Sequence, residues 1–210
     1  MRENTLFLAV GSVVIIGLFL LLNTMVSTYE IFVYPEWAIA ATSSAVTVSA
    51  SVQATIACST DEGSTDFGTW TDTSIKTATP NASSTMSCAN SGSGCTLYVK
   101  DAGDGNPGLY NSGATYLIAS ASTTLSGGTE GYGIQATSTA TGSGGAITIN
   151  STYYKESNDV GGLLTTNAIL ASTIATSSNR EVVVTHKASV ASNTPSGSYT
   201  DTLTYECTAN

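Results

Sequence analysis

The chain of 210 residues contains 29 serines and 34 threonines, and only 10% of its residues are charged, well under the roughly 25% usual for globular chains. Its formal net charge is −9, and its six basic residues (Arg2, Lys76, Lys100, Lys155, Arg180 and Lys187) are scattered. With no basic patch to meet phosphates, the composition argues against nucleic acid as a partner. A hydrophobic content of 41% excludes a disordered polar tail. Abundant Thr, Ser, Gly and Val favour short strands and many turns over a helical domain.

The first element in chain order is apolar. Leu6 to Val26 is a run of 21 residues without a charge, and at about 1.5 Å per residue it is long enough for a helix to cross a hydrocarbon core of about 30 Å. A signal-peptide core is usually shorter, about 7–15 residues. The best small-x-small site, Ala38-Ile39-Ala40, lies well past the run. Residues 1–28 are therefore expected to be a retained signal anchor, with a cleaved and secreted form as the alternative. Arg2 precedes the run and no Lys or Arg follows before Lys76, so the positive-inside rule puts the C-terminal part outside the cell. Tyr29, Phe32, Tyr34 and Trp37 suit an interfacial aromatic belt, and residues 29–43 read as a linker or extended segment.

Residues 44–210 read as one β-rich domain. Val46, Val48, Ala50, Val52, Ala54, Ile56 and Cys58 share one parity, and Thr47, Ser49, Ser51, Gln53 and Thr55 the other. This period of two predicts a half-buried strand over 46–58. Further strands are predicted at 84–88, 95–100, 115–120, 131–137, 146–150, 181–190 and 203–207. Gly, Asn, Asp and Ser clusters separate them, as in 89–94, 101–108 and 141–146. Residues 160–172 admit a short helical turn. Short strands at this spacing indicate an antiparallel β-sandwich.

Four cysteines in a domain expected outside the cell imply two disulfides, with three possible connectivities. Strand parity turns Cys58, Cys88, Cys95 and Cys207 inward. Cys88 and Cys95 flank a six-residue loop and fit adjacent strands, whereas Cys58 and Cys207 end the first and last strands, which lie side by side in many sandwiches. The preferred pairing is Cys88–Cys95 with Cys58–Cys207.

V-S-A-S-V at 48–52, Cys58, D-F-G-T at 66–69, M-S-C at 86–88 and P-S-G-S-Y-T-D-T-L-T-Y at 195–205 stand in an order that resembles secreted spore-coat-U and fimbrial-type β-sandwich domains. Through C-T-L-Y-V at 95–99 the chain more loosely resembles WxL-like surface sandwiches. T-E-G-Y-G-I-Q at 129–135, N-D-V-G-G-L at 158–163 and V-V-T-H-K-A at 183–188 resemble signatures of uncharacterised surface proteins from small-genome uncultured bacteria. The resemblance implies an Ig-like or pilin-like fold and a structural or adhesive role. It also implies the other pairing, Cys58–Cys88 with Cys95–Cys207.

No catalytic constellation emerges. His186, the only histidine, shares parity with Val182, Val184, Ala188 and Val190 and reads as a buried, hydrogen-bonded core residue. There is no G-x-S-x-G motif to supply a nucleophile. Asp101, Asp104 and Asn106 form an acidic turn without the spacing of a calcium loop. Asp61, Glu62 and Asp66 read as solvated turn acids. Asn81-Ala82-Ser83 and Asn150-Ser151-Thr152 match the glycosylation acceptor pattern, which a hydroxyl-rich chain produces by chance. Trp37, Trp70 and the tyrosines could stack on sugars, although Tyr116, Tyr132 and Tyr205 fit strands better. The chain is thus expected to be a membrane-anchored, extracellular structural or adhesive protein, with no enzyme activity, cofactor or metal. Its expected partners are the membrane, further copies of itself or a cell-surface glycan; a glycan- or peptidoglycan-binding module is the alternative.

Overall fold

A computed structural model describes residues 47–102 and 105–210 of the chain. The anchor expected over 6–26, the aromatic segment that follows it, and Asp104 lie outside the described residues. Among the described residues no helix is long and apolar enough to cross a membrane.

The fold is all-β, and the paired strands are antiparallel. One sheet is built on β13 (Ser177–Ser189), with β3 (Ala82–Ala89) and β2 (Lys76–Thr77) along it and β1 (Thr55–Thr60) outside β3; β8 (Gly131–Ser138) and β9 (Ser143–Gly144) also pair with β13. The second sheet has the order β10 (Thr148–Ile149), β12 (Ala168–Ser172), β4 (Cys95–Asp101), β14 (Leu203–Ala209). Two small ribbons complete the set, β5 (Gly108–Asn111) with β6 (Tyr116–Ala119), and β7 (Thr123–Thr124) with β11 (Asp159–Val160).

Alternation explains the sandwich-like core. Met86 and Cys88 from β3, Ile134 and Ala136 from β8, and Val182 and Val184 from β13 are buried from one sheet; Cys95, Leu97 and Val99 from β4 with Leu170 and Ala171 from β12 are buried from the other. The intervening residues on β13 stay half-exposed, as a strand covered on one face requires. Each fully buried Leu, Ile, Val or Met contributes about 1.5–3 kcal/mol relative to exposure.

Several expectations need correction. The long strand expected at 46–58 shrinks to Thr55–Thr60, and residues 47–54 form no strand. Val48 is 89% and Val52 74% exposed, because alternation alone supplies no partner strand. The segment expected to hold a helical turn contributes β12 instead.

Both cysteine pairs form as preferred, Cys58–Cys207 and Cys88–Cys95, but not across the expected neighbours. β1 pairs with β3 and β14 with β4, so the first and last strands belong to different sheets, as do β3 and β4. Each disulfide therefore joins the two sheets, with Cα–Cα separations of 6.1 Å and 5.9 Å. The register makes them neighbours. Cys58 lies opposite Met86, two residues from Cys88, and Cys207 lies opposite Leu97, two residues from Cys95. The pairing implied by the fimbrial resemblance is overturned: Cys58 and Cys88 sit on paired strands of one sheet, Cys95 and Cys207 on paired strands of the other. Nor are all four sulfurs interior. Cys88 and Cys95 are buried, but Cys58 sits on an edge strand and is exposed, and Cys207 is half-buried.

The loop 89–94 passes between the sheets beside this clamp. Asn90 and Gly94 take positive φ, 58° and 79°. A Cβ on Gly94 would lie 2.1 Å from the Thr173 carbonyl oxygen, so only glycine fits there. The Thr173 amide donates to the Cys95 carbonyl (2.8 Å), and the Cys95 amide donates to the Thr173 hydroxyl (3.2 Å). The Asn210 side-chain amide closes the same corner on the carbonyls of Ser93 (3.1 Å) and Thr173 (2.9 Å).

Candidate functional site: a polar cleft beside the open edge

A cleft of about 800 Å³ lies between β1 with its following loop, Cys58–Thr60 and Glu62–Phe67, and the approach to β14, Tyr199–Tyr205. Leu109, Tyr132 and His186 also line it. Among the described residues no lysine or arginine does, whereas Glu62, Asp66 and Asp201 do.

Strand alternation carries polar groups into this place. On β13 the inward row Val182, Val184, His186, Ala188 leads to the imidazole, and on β8 the inward row of Ala136 and Ile134 ends at Tyr132. The Tyr132 hydroxyl and His186 Nδ1 are 3.1 Å apart, and the two rings stack with centroids 6.2 Å apart. Burial lowers the His186 pKa to about 4, so the ring is neutral at physiological pH. His186 is thus the buried core histidine that its parity indicated.

Two aspartates meet at the end of the second sheet. Asp101 continues the inward row Cys95, Leu97, Val99 on β4, and Asp201 continues the row Cys207, Tyr205, Leu203 off the start of β14. Since Asp101 pairs with Leu203, Asp201 sits diagonally from Asp101 on the same face. Asp101 is 3% exposed, and its Oδ2 accepts the Gly108 amide at 2.8 Å. Neither buried carboxylate oxygen of Asp201 forms a hydrogen bond of good geometry, and neither does the buried Tyr205 hydroxyl. Burial, followed by the negative charge of Asp101, raises the Asp201 pKa to about 7. Burial also raises the hydroxyls of Tyr132 and Tyr205, with Asp201 adding to both.

Sequence reasoning missed this pair, although a signal was present: each aspartate extends an inward apolar row. The other acids behave as turn residues. Asp61 Oδ1 accepts the amides of Glu62 (2.8 Å) and Ser83 (2.7 Å), and Asp66 Oδ1 accepts that of Gly68 (2.9 Å). Asn150 caps a turn by accepting the Thr152 amide at 2.9 Å. Trp70 is half-buried; its ring lies 5.3 Å from that of Phe67, the Lys76 ammonium sits 5.5 Å from its centroid, and its indole N–H donates to the Ser74 carbonyl. It is a packing residue here, not an open stacking platform. Tyr116 turns its hydroxyl to Glu130, 3.0 Å from both oxygens.

Among the described residues no group of three or more His, Cys, Asp and Glu converges to hold a metal ion. The cleft combines a neutral imidazole, phenols and the Asp201 carboxyl, behind which Asp101 is buried, an arrangement able to exchange protons and to receive uncharged or cationic groups. No family model, curated protein or solved structure matches the chain.

Proposed function

We propose that the chain is an extracellular structural or adhesive cell-surface protein, held in the membrane by residues 1–28 and carrying an Ig-like or pilin-like sandwich. The observation that carries this reading is the pair of disulfides joining the two sheets, since such bonds form and persist in oxidising compartments. The uncharged run 6–26 and the hydroxyl-rich, weakly charged composition support it. Treating intact cells with protease should remove the domain 44–210 and leave the apolar N-terminal segment with the membrane; full protection of the domain would contradict the topology.

The open edge supports self-association by strand addition. Among the described residues β1 pairs only with β3, and 47–54 is exposed, unpaired and free of charge. Native edges are usually blocked by charge, proline or bulges, and strand addition uses the main-chain groups of such an edge. Deleting 29–45 should abolish higher oligomers while leaving the monomer folded. A full chain that stays monomeric at high concentration would contradict assembly into fibres by strand addition.

The cleft favours a second reading, a glycan- or peptidoglycan-binding module, because Phe67, Tyr132, Tyr199 and Tyr205 line it beside polar groups. A glycan array separates the two readings: reproducible binding that Phe67→Ala abolishes would favour the module.

A further inference from the structure

The Asp101–Asp201 pair presents a physical difficulty. With both carboxylates ionised, like charges face each other in a poorly solvated corner. Neither Asp201 oxygen makes a hydrogen bond of good geometry, although the Tyr132 hydroxyl and the Thr202 amide face it, and a buried charge held that loosely is costly. Among the described residues that line the cleft there is no lysine or arginine. The groups facing the pair are Tyr132 from β8, His186 from β13, held neutral by its burial, and Tyr205 from β14, while Glu62, Asp66 and Tyr199 stand around the cleft. One proton removes the difficulty: an Asp201 O–H donates to the Asp101 carboxylate, and the pair then carries one negative charge instead of two.

The cleft wall hangs on this corner. Thr200 exchanges both backbone hydrogen bonds with Tyr110 on β5 (2.8 and 3.0 Å), and the Ala102 amide donates to the Thr202 carbonyl at 2.7 Å. Asp201 sits between these two attachments.

We propose that Asp101 and Asp201 hold a single proton between them and form a pH-sensitive latch on the cleft wall at Tyr199–Thr202. With the proton in place, the wall is seated and the cleft keeps its shape. When the proton leaves to solvent through the cleft, two like charges face each other in a poorly solvated corner, and the wall loosens. The proton is released near neutrality, since burial and the negative charge of Asp101 raise the Asp201 pKa to about 7.

The test is hydrogen exchange of the full chain between pH 6 and pH 8.5, corrected for intrinsic chemistry. In the wild type, protection of the amides of Ala102, Tyr110 and Thr200 should fall by about tenfold, the change produced by one pKa unit of differential interaction. In Asp201→Asn it should stay flat, because the amide donates to Asp101 at every pH. As a check that needs no variant, carboxyl-carbon NMR should show one aspartate titrating near neutrality. All aspartates titrating below pH 5, equal pH dependence in wild type and Asp201→Asn, or saturable recovery of protection at pH 8.5 on adding calcium would each overturn the shared proton, the last by assigning the pair to a metal ion.

Discussion

The β4–β14 ladder ends in opposite ways. At the Cys95 end, two disulfides stitch this ladder to β1 and β3 of the facing sheet. At the Asp101 end, the same inward rows finish in two carboxylates beside an open cleft. One end is closed covalently. The other closes only when a proton is present. The contrast shows how one alternating pattern yields a rigid corner or a responsive one, depending on which side chain completes the row.

The largest expected effect comes from breaking the covalent end. Cys58 and Cys207 are 149 residues apart, so in the chain-entropy model their bond stabilises the fold by about 5 kcal/mol. Cys58→Ser with Cys207→Ser should lower the denaturant midpoint by a corresponding amount. Cys88 and Cys95 are only 7 apart, which makes that bond worth about 2.5 kcal/mol in the same model. A smaller loss for the long loop than for the short one would show that the clamp acts through folded-state strain instead.

At the open end the expected effects are smaller and depend on pH. His186 has its pKa lowered to about 4, so the unfolded chain binds the extra proton between about pH 4 and 6.5, and stability from this group is lost as pH falls through that window. Asp201 has its pKa raised to about 7, so the folded chain binds the extra proton, and its contribution is present at low pH and lost as pH rises from about 4 to about 7. The slopes oppose each other, each up to about 1.4 kcal/mol per pH unit. Wild-type stability should therefore vary little between pH 4.5 and 6.5. Asp201→Asn should uncover the histidine slope, losing about 3 kcal/mol on acidification across the His186 window. At pH 8 it should gain about 1–2 kcal/mol, a figure discounted for the partial exposure of Asp201. Urea titrations at several pH values read both changes.

The smallest change in stability, within about 0.5 kcal/mol, is expected for Val52→Lys, since Val52 is 74% exposed. Its effect should appear in sedimentation as fewer oligomers, because a charge on the segment opposes strand addition.

Sequence pattern revealed the covalent end more readily than the open end. β3, β4, β8, β13 and β14 each carry enough alternating residues to be read from parity; loop spacing pointed to Cys88–Cys95, and position at the ends of the first and last strands to Cys58–Cys207. That each pair crosses between sheets was not visible, because parity gives the face of a strand and not its sheet. Val48 and Val52 show the opposite failure, alternation with nothing to cover it. β2, β7, β9 and β11 are two residues each, too short for any periodicity. Asp101 and Asp201 are far apart along the chain, and only the Leu203–Asp101 register brings them to one corner.

The most direct test of the covalent clamp is peptide mapping of the full chain, alkylated on intact cells before lysis and digested without reduction. The expected result is two linked peptides, one joining Cys58 to Cys207 and the other Cys88 to Cys95, with none of these four thiols alkylated. Four alkylated cysteines, or a peptide joining Cys58 to Cys88, would contradict the inter-sheet clamp, and free thiols would remove the argument for an extracellular domain with it.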